Sequence, residues 1–397
     1  MMMKVLQLCN KPPKPEVDGG CIAMSRISDG LIQKGVDLKI LTASTDKHPF
    51  LIDQIDSDFA KKTQIEGIFL DTRVNVIDAF SALVTADSYN VNRFFSPDFD
   101  KRIREILTDG DFDVVHLESL FMTPYIATIR QCCSAKIVLR SHNLEHLIWE
   151  RLANSTGNKA KKMYLKHLAS KLKKYETKTI NEVDGLAAIS KEDHDRFIEF
   201  KCEKPIISIP FGIDLKDYPL KESPREKSNK LFHIGAMDWE PNKEAIHWFI
   251  DTVWPILKKE DVSVHLAGRN MPTHLNSLAS DKFLIHGEVE SAQDFMNDHD
   301  IMIVPLLSGS GMRIKIIEGM ALGKAIISTS IGAEGIDCAH GENILIADSS
   351  EEFADCIMKL TSNPKEAERI GKNARKLVEE KFDNSAIIEQ LLTFYKS

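Results

Sequence analysis

Short apolar runs alternate along this chain with stretches whose apolar positions recur every three or four residues. Such runs suit buried strands and the recurring pattern suits amphipathic helices, so the alternation predicts parallel sheets joined by crossover helices. A first series holds KVLQLC (4–9), VDLKILTA (36–43), DVVHLES (113–119), KIVLRSH (136–142), GLAAIS (185–190) and PIISIP (205–210). The segment DLKDYPLKESPREKSNK (214–230) that follows is polar and proline-bearing, the composition of a linker. A second series runs through LFHIGA (231–236), VSVHLAG (262–268), FLIHGE (283–288), IMIVPL (301–306), AIISTS (325–330) and NILIAD (343–348). The expected fold class is therefore α/β, with two Rossmann-like, doubly wound parallel-sheet domains at 1–213 and 231–381, 214–230 between them and a last helical pattern in 382–397.

Open α/β sheets bind ligands beyond the carboxyl ends of their strands. Glycines or polar residues gather there in this chain: Gly19–Gly20, His116, His142–Asn143, Gly235, Gly268, Gly287 and Gly309/Gly311. Two such edges facing each other would enclose a cleft. The most informative of them is VPLLSGSGMRIKIIEGMALG (304–323), an apolar strand that breaks into a glycine loop and restarts as a helix carrying Arg313, Lys315 and Glu318. Glycines there let the backbone approach a ligand, and the helix start offers unpaired N–H groups to an anion. Lys315 and Glu318 share a helix face, which offers a cation to a diphosphate and a carboxylate to sugar hydroxyls. The alternative reading of the same residues is an ordinary strand-to-helix connection with solvated charges.

Charge and composition narrow the partners. The 397 residues carry a net charge of -8, against the basic surplus that a nucleic-acid partner requires. Seven scattered cysteines form neither a disulfide framework nor a zinc spacing, and no window approaches the ~18 apolar residues of a membrane span; both fit a cytoplasmic protein. Lysines crowd KAKKMYLKHLASKLKKYETK (159–178) around a stripe of Met163, Leu165, Leu168, Leu172 and Tyr175. This is either a core-packed helix with a solvated basic face or a peripheral contact with anionic lipid on the inner face of a membrane. Aspartate pairs of D-x-D form (56/58, 98/100, 111/113, 193/195, 298/300) precede strands or lie in helical and loop stretches, where they cannot hold a metal against a diphosphate. The first strand runs into NKPPKPEVDGG instead of the G-x-G-x-x-G of a nicotinamide dehydrogenase.

SGSGMRIKIIEGMALGKAIISTSIGAEGI (308–336), together with FHIGAMDWEPNKEAIHWF (232–249), HLESLFMTPYI (116–126) and RSHNLEHLIWERLA (140–153), resembles the family 4 glycosyltransferases of the GT-B fold, and the likeness spans nearly the whole chain. The resemblance implies a retaining glycosyltransferase. It would take a sugar from a nucleotide-diphosphate sugar on the C-terminal domain to a saccharide or lipid-linked acceptor on the N-terminal one, in cell-surface glycan synthesis. It implies no cofactor and no metal, and a final helix, 384–396, that crosses back to the N-terminal domain.

Position by position, Glu318 matches the second glutamate of the E-x7-E motif, which hydrogen-bonds the donor's ribose, while the first falls on Ser310. That departure touches the carboxylate that addresses the donor sugar. The arginine that the family places after the first strand of this domain is missing from MDWEPNK, so Arg313 and Lys315 would neutralise the leaving diphosphate, with Arg269 and Lys243 behind them. His142 matches the histidine that hydrogen-bonds the donor sugar near the reacting centre. Gly19 and Gly20 would admit donor phosphate and acceptor to the backbone; a plain helix start explains them almost as well. Gly235, Gly309, Ser310, Gly311 and Met312 would line the donor, Gly287 and Val289 would offer backbone to the base, and His116, Glu118, Asn143 and Glu145 are acceptor-side candidates. Two other readings share the fold: a non-catalytic sugar-nucleotide-binding scaffold, and a GT-B epimerase that converts the donor alone.

Overall fold

A computed structural model describes residues 2–73, 89–220, 229–309 and 311–397. The chain divides into two compact units, the first Met1–Gly212 with Asn384–Ser397 and the second Ile213–Asp383. Unit 1 holds β1 (Lys4–Cys9), β2 (Asp37–Ser44), β3 (Glu66–Phe69), β4 (Val114–Glu118), β5 (Lys136–Ser141), β6 (Gly185–Ala188) and β7 (Ile206–Ser208). Unit 2 holds β8 (Lys230–Ile234), β9 (Ser263–Ala267), β10 (Phe283–Gly287), β11 (Ile301–Val304), β12 (Ala325–Ser328) and β13 (Leu345–Ile346). The strands form one seven-stranded sheet in the order β3-β2-β1-β4-β5-β6-β7 and one six-stranded sheet in the order β10-β9-β8-β11-β12-β13. Every pairing is parallel.

The apolar runs exist because helices cover both faces of such a sheet. Along β1, Leu6 and Leu8 enter one buried cluster while Val5 and Cys9 enter another, so alternate side chains are both kept from water. β3 is the strand that hydrophobic patterning misses. It is a half-exposed edge strand with Gly67 at its centre, and a Cβ there would meet the Phe50 ring at 2.3 Å, so its apolar cover comes from elsewhere in the chain.

The helix Asn384–Lys396 belongs to unit 1 and buries Ile387, Ile388, Leu391, Phe394 and Tyr395 against Val5, Met24 and Val138. The lysine-rich segment forms the helix Lys159–Thr179, which buries Leu165, Leu168, Ala169, Leu172 and Glu176. Met163, expected in its apolar stripe, is instead 73% exposed, because it lies on the lysine-bearing side of that helix. Glu176 supplies what the helix Glu145–Ser155 lacks at its start: the backbone N–H groups of Glu145 and His146 donate to its carboxylate at 3.2 and 3.4 Å. Among the described residues no helix is long and apolar enough to cross a membrane.

In unit 2 the carboxyl ends of β8, β9 and β10 meet through three glycines. Gly235 donates to Ala267 O at 3.0 Å and Gly268 donates to Gly287 O at 2.7 Å. Gly268 has φ +149, and a Cβ on it would lie 1.8 Å from Gly235 O. Gly268→Ala is expected to cost about 4 kcal/mol or more, read from chemical denaturation, since both backbone and neighbour must move. Gly287→Ala, with φ +68 but no atom within 4 Å of the added carbon, should cost about 1–2 kcal/mol.

Candidate functional site

Strand order reverses between β1 and β4 in unit 1 and between β8 and β11 in unit 2, and open sheets bind ligands at such reversals. In unit 1 the reversal is built around Glu118, the last residue of β4, whose side chain is fully buried. Its Oε1 accepts from Gln7 Nε2 at 2.9 Å and from His116 Nε2 at 3.1 Å; its Oε2 lies 3.3 Å from Arg140 and 2.6 Å from His142 Nε2. Burial alone would raise this carboxyl, but Arg140, His116 and His142 outweigh it and hold it well below the usual range. The network continues into the last helix. Burial keeps the Tyr395 hydroxyl protonated, and its oxygen lies 2.6 Å from His116 Nδ1, on the opposite side of the ring from Glu118.

This geometry sorts the unit 1 candidates. His142 follows β5 with 15% of its side chain exposed; burial, with Arg140 and Lys11 nearby, lowers its pKa, so the ring is neutral near pH 7 and donates through Nε2 to Glu118. Asn143 lies beside it, 3.5 Å from the Glu145 carboxylate. His116 and Glu118, expected on the acceptor side, are instead wholly enclosed with their polar atoms engaged, and act on His142 from beneath. Glu145 is also buried, and that burial together with Glu176 pushes its carboxyl up to about 7. Gly19 and Gly20 begin the helix Gly19–Gln33, capped by Asp18, whose carboxylate pairs with Lys11 at 2.7 Å. A Cβ on Gly20 would lie 2.6 Å from the Lys11 ammonium, so the glycine makes room for a cation that sequence reasoning passed over.

In unit 2 the glycine loop and the helix after it gather most of the predicted donor-side residues. The helix runs Ile314–Ala321, so Arg313 precedes it as the N-cap residue and is not carried on it as expected. The Arg313 guanidinium donates to Gly311 O at 2.6 Å and lies over the Trp239 ring, 5.3 Å from its centroid. Gly309, at φ +107, is fixed by that stack, because a Cβ there would lie 2.9 Å from Arg313 and 3.1 Å from Trp239. Lys315 Nζ donates to Asn242 Oδ1 at 3.0 Å, and the Asn242 amide donates to Ala236 O at 2.8 Å, which ties this lysine to the turn after β8. Burial, and then Arg313, pull Lys315 down to about 7. Glu318 accepts from the Tyr218 hydroxyl at 2.9 Å.

The remaining candidates are less concentrated. Gly235 packs against Asn242, and Met312 against Gly335. Gly287 ends β10, with Val289 just beyond it. Arg269 is exposed, and its carbonyl accepts from Met237 N at 2.9 Å. Lys243 pairs with Glu240 at 3.1 Å on the helix Glu240–Trp248 and is not drawn toward Arg313. Ser310 lies outside the described residues. Sequence reasoning missed Tyr218, Trp239, Asn242 and Glu244; the Glu244 carboxylate accepts from Ser308 Oγ beside the glycine loop. Tyr218 sat within the apparent linker, and the other three stand within or just after MDWEPNK, where the aromatic ring was the available signal.

Comparison with known proteins fits this architecture. Residues 18–217 match glycosyltransferase family 4 and residues 228–363 match glycosyl transferases group 1. The chain belongs to glycosyltransferase family 4 and is a transferase enzyme of GT-B fold. It is 24% identical to an uncharacterized 44.6 kDa protein in the cps region of Klebsiella pneumoniae, over 98% of this chain and 99% of that one. It is 23% identical to a phosphatidyl-myo-inositol mannosyltransferase of Mycolicibacterium smegmatis, over 76% of each. Among solved structures, sucrose-phosphate synthase from Thermosynechococcus elongatus superposes with a TM-score of 0.71 at 15% identity, covering 99% of this chain and 98% of that one. HepE of Anabaena, in complex with UDP and glucose, gives 0.67 at 14% identity, with both chains fully covered.

Proposed function

We propose that this enzyme transfers a sugar with retention of configuration from a nucleotide-diphosphate sugar bound by unit 2 to a saccharide or lipid-linked acceptor, in the cytoplasm and toward a cell-surface glycan. The observation that carries this reading is the helix Ile314–Ala321, where a half-buried lysine and a carboxylate share one face just beyond a glycine loop and a stacked arginine. Breaking the bond to the diphosphate builds negative charge on the leaving nucleotide. Arg313 and Lys315 stabilise that charge more in the transition state than in the ground state, the task a divalent cation performs in metal-dependent transferases. Glu318 exchanges the Tyr218 hydroxyl for the ribose hydroxyls. Glu244 supplies a carboxylate beside the loop for the donor sugar, where the family glutamate is replaced by Ser310. The HepE complex with UDP and glucose supports the donor class.

Calorimetry with UDP-, GDP-, ADP- and dTDP-sugars in EDTA tests this reading, with Glu318→Ala alongside. One donor should bind selectively, and the variant should lose it; no selective binding overturns the proposal. The same titration carries a pH signature. A diphosphate beside Lys315 restores the charge that burial suppresses, so at pH 8 binding should take up about one proton, falling to none below about pH 6. Binding heats in buffers of different ionisation enthalpy measure that number directly.

A further inference from the structure

We infer that unit 2 carries a three-histidine site for a late first-row divalent cation, zinc foremost, formed by His265, His286 and His299. The three come from separate elements: β9, the end of β10, and the residue that closes the helix Ala292–Asp298 before β11. Each offers one ring nitrogen, and the three nitrogens lie within 4.8 Å of one another. His265 Nδ1 and His286 Nε2 are 3.0 Å apart. Tetrahedral zinc, with bonds of about 2.0–2.1 Å to imidazole, holds its ligand nitrogens about 3.3 Å apart, so these two rings need almost no movement to share it.

The outer contacts are those of ligating histidines. His265 turns Nε2 to Ser263 Oγ at 3.0 Å, which assigns Nδ1 to the cluster. His299 Nδ1 is held by Phe295 O at 2.6 Å, the backbone anchor that fixes a ring for ligation through Nε2. The His299 ring also packs on Phe295, with centroids 4.3 Å apart, and close to Phe232 at 5.8 Å, so its orientation is set by the core. Imidazole nitrogens without a thiolate favour zinc and its late first-row neighbours over magnesium or calcium. His286 is exposed, so three protein ligands leave a fourth position to water. A cation there would cross-tie β9, β10 and the helix Ala292–Asp298, the frame that carries Gly268 and Gly287.

The test uses the full-length protein, stripped with EDTA and dialysed free of it, then titrated with zinc against a competing chelating dye and separately with cobalt(II). The expected result is one equivalent of zinc bound with Kd below about 1 µM, and the intense visible absorption of tetrahedral cobalt. His286→Ala, at an exposed position, should weaken binding about 100-fold or more with an unchanged circular dichroism spectrum. His247→Ala should leave binding intact; His247 faces His274 at 3.2 Å in a two-histidine pair on the surface. Absence of stoichiometric zinc, or zinc that survives His286→Ala or is lost in His247→Ala, overturns the site. Donor calorimetry is run in EDTA, so failure there and failure here are separate results.

Discussion

Lys315→Met is expected to lower sugar transfer by about 100- to 1,000-fold while leaving the folded protein at least as stable as the native chain, the size of effect found when one preorganised donor to a developing oxyanion is removed. The two halves of that expectation come from one fact. Burial holds Lys315 down to about 7, so the ammonium is an uncomfortable guest until an anion arrives. The unfolded chain binds a proton at this lysine up to its ordinary 10.5, and the folded chain gives it up from about 7, so the native protein gains stability as pH rises between those values. Below about 7 the full penalty applies. Methionine removes it, and thermal denaturation should therefore favour the variant most clearly near pH 6 and least near pH 10. Transfer assays on the same preparations should show the loss chiefly in kcat, because the charge that Lys315 meets is largest at the transition state. A variant that is both unstable and inactive would mean that the Asn242 bond holds the fold, and a fully active one would remove Lys315 from the donor site.

That lysine was legible in the sequence because a glycine loop between an apolar strand and a helix is a local pattern, and its chemistry follows at helical spacing. The strands were legible for the same reason: each buried run is continuous, and the one missed, β3, takes its cover from Phe50 and shows only half-exposed residues. What local patterns cannot carry is the partner that long-range folding delivers. Tyr218 reads as linker until it meets Glu318 one hundred residues away, and Tyr395 reads as one more apolar helix position until it reaches His116. The same limit hid the histidine cluster, whose members sit in unrelated strands and a helix end. It also put His116 and Glu118 among acceptor groups: Glu118 does end β4, but His116 sits at the middle of that strand, and both are buried, with Tyr395 of the last helix against His116.

Glu118→Gln should be the most damaging conservative change in unit 1, costing about 3–5 kcal/mol of stability, because it keeps the shape and removes the charge opposite a buried cation. Arg140 is 1% exposed, and its ion pair is with Glu118 at 3.3 Å. The amide nitrogen also replaces one of the two oxygens, facing either Gln7 and His116 or Arg140 and His142, and as a donor it loses the hydrogen bonds on that side. The pH dependence separates these causes. Glu118 is held well below its ordinary 4.5, so its contribution is complete above that value and disappears as pH falls toward its folded value. The gap between native chain and variant should thus stay constant from pH 7 to about pH 5 and close in more acid solution. Tyr395→Phe, which removes one hydrogen bond and leaves the carboxylate paired, should cost only about 1 kcal/mol. For catalysis the expectation runs through His142. With the negative charge gone, its ring loses the carboxylate that holds its pKa up against burial, and the limb of the pH–rate profile that reports this imidazole should shift to lower pH. An unchanged profile in a folded Glu118→Gln protein would show that the network serves the fold of unit 1 alone and that His142 takes no part in transfer.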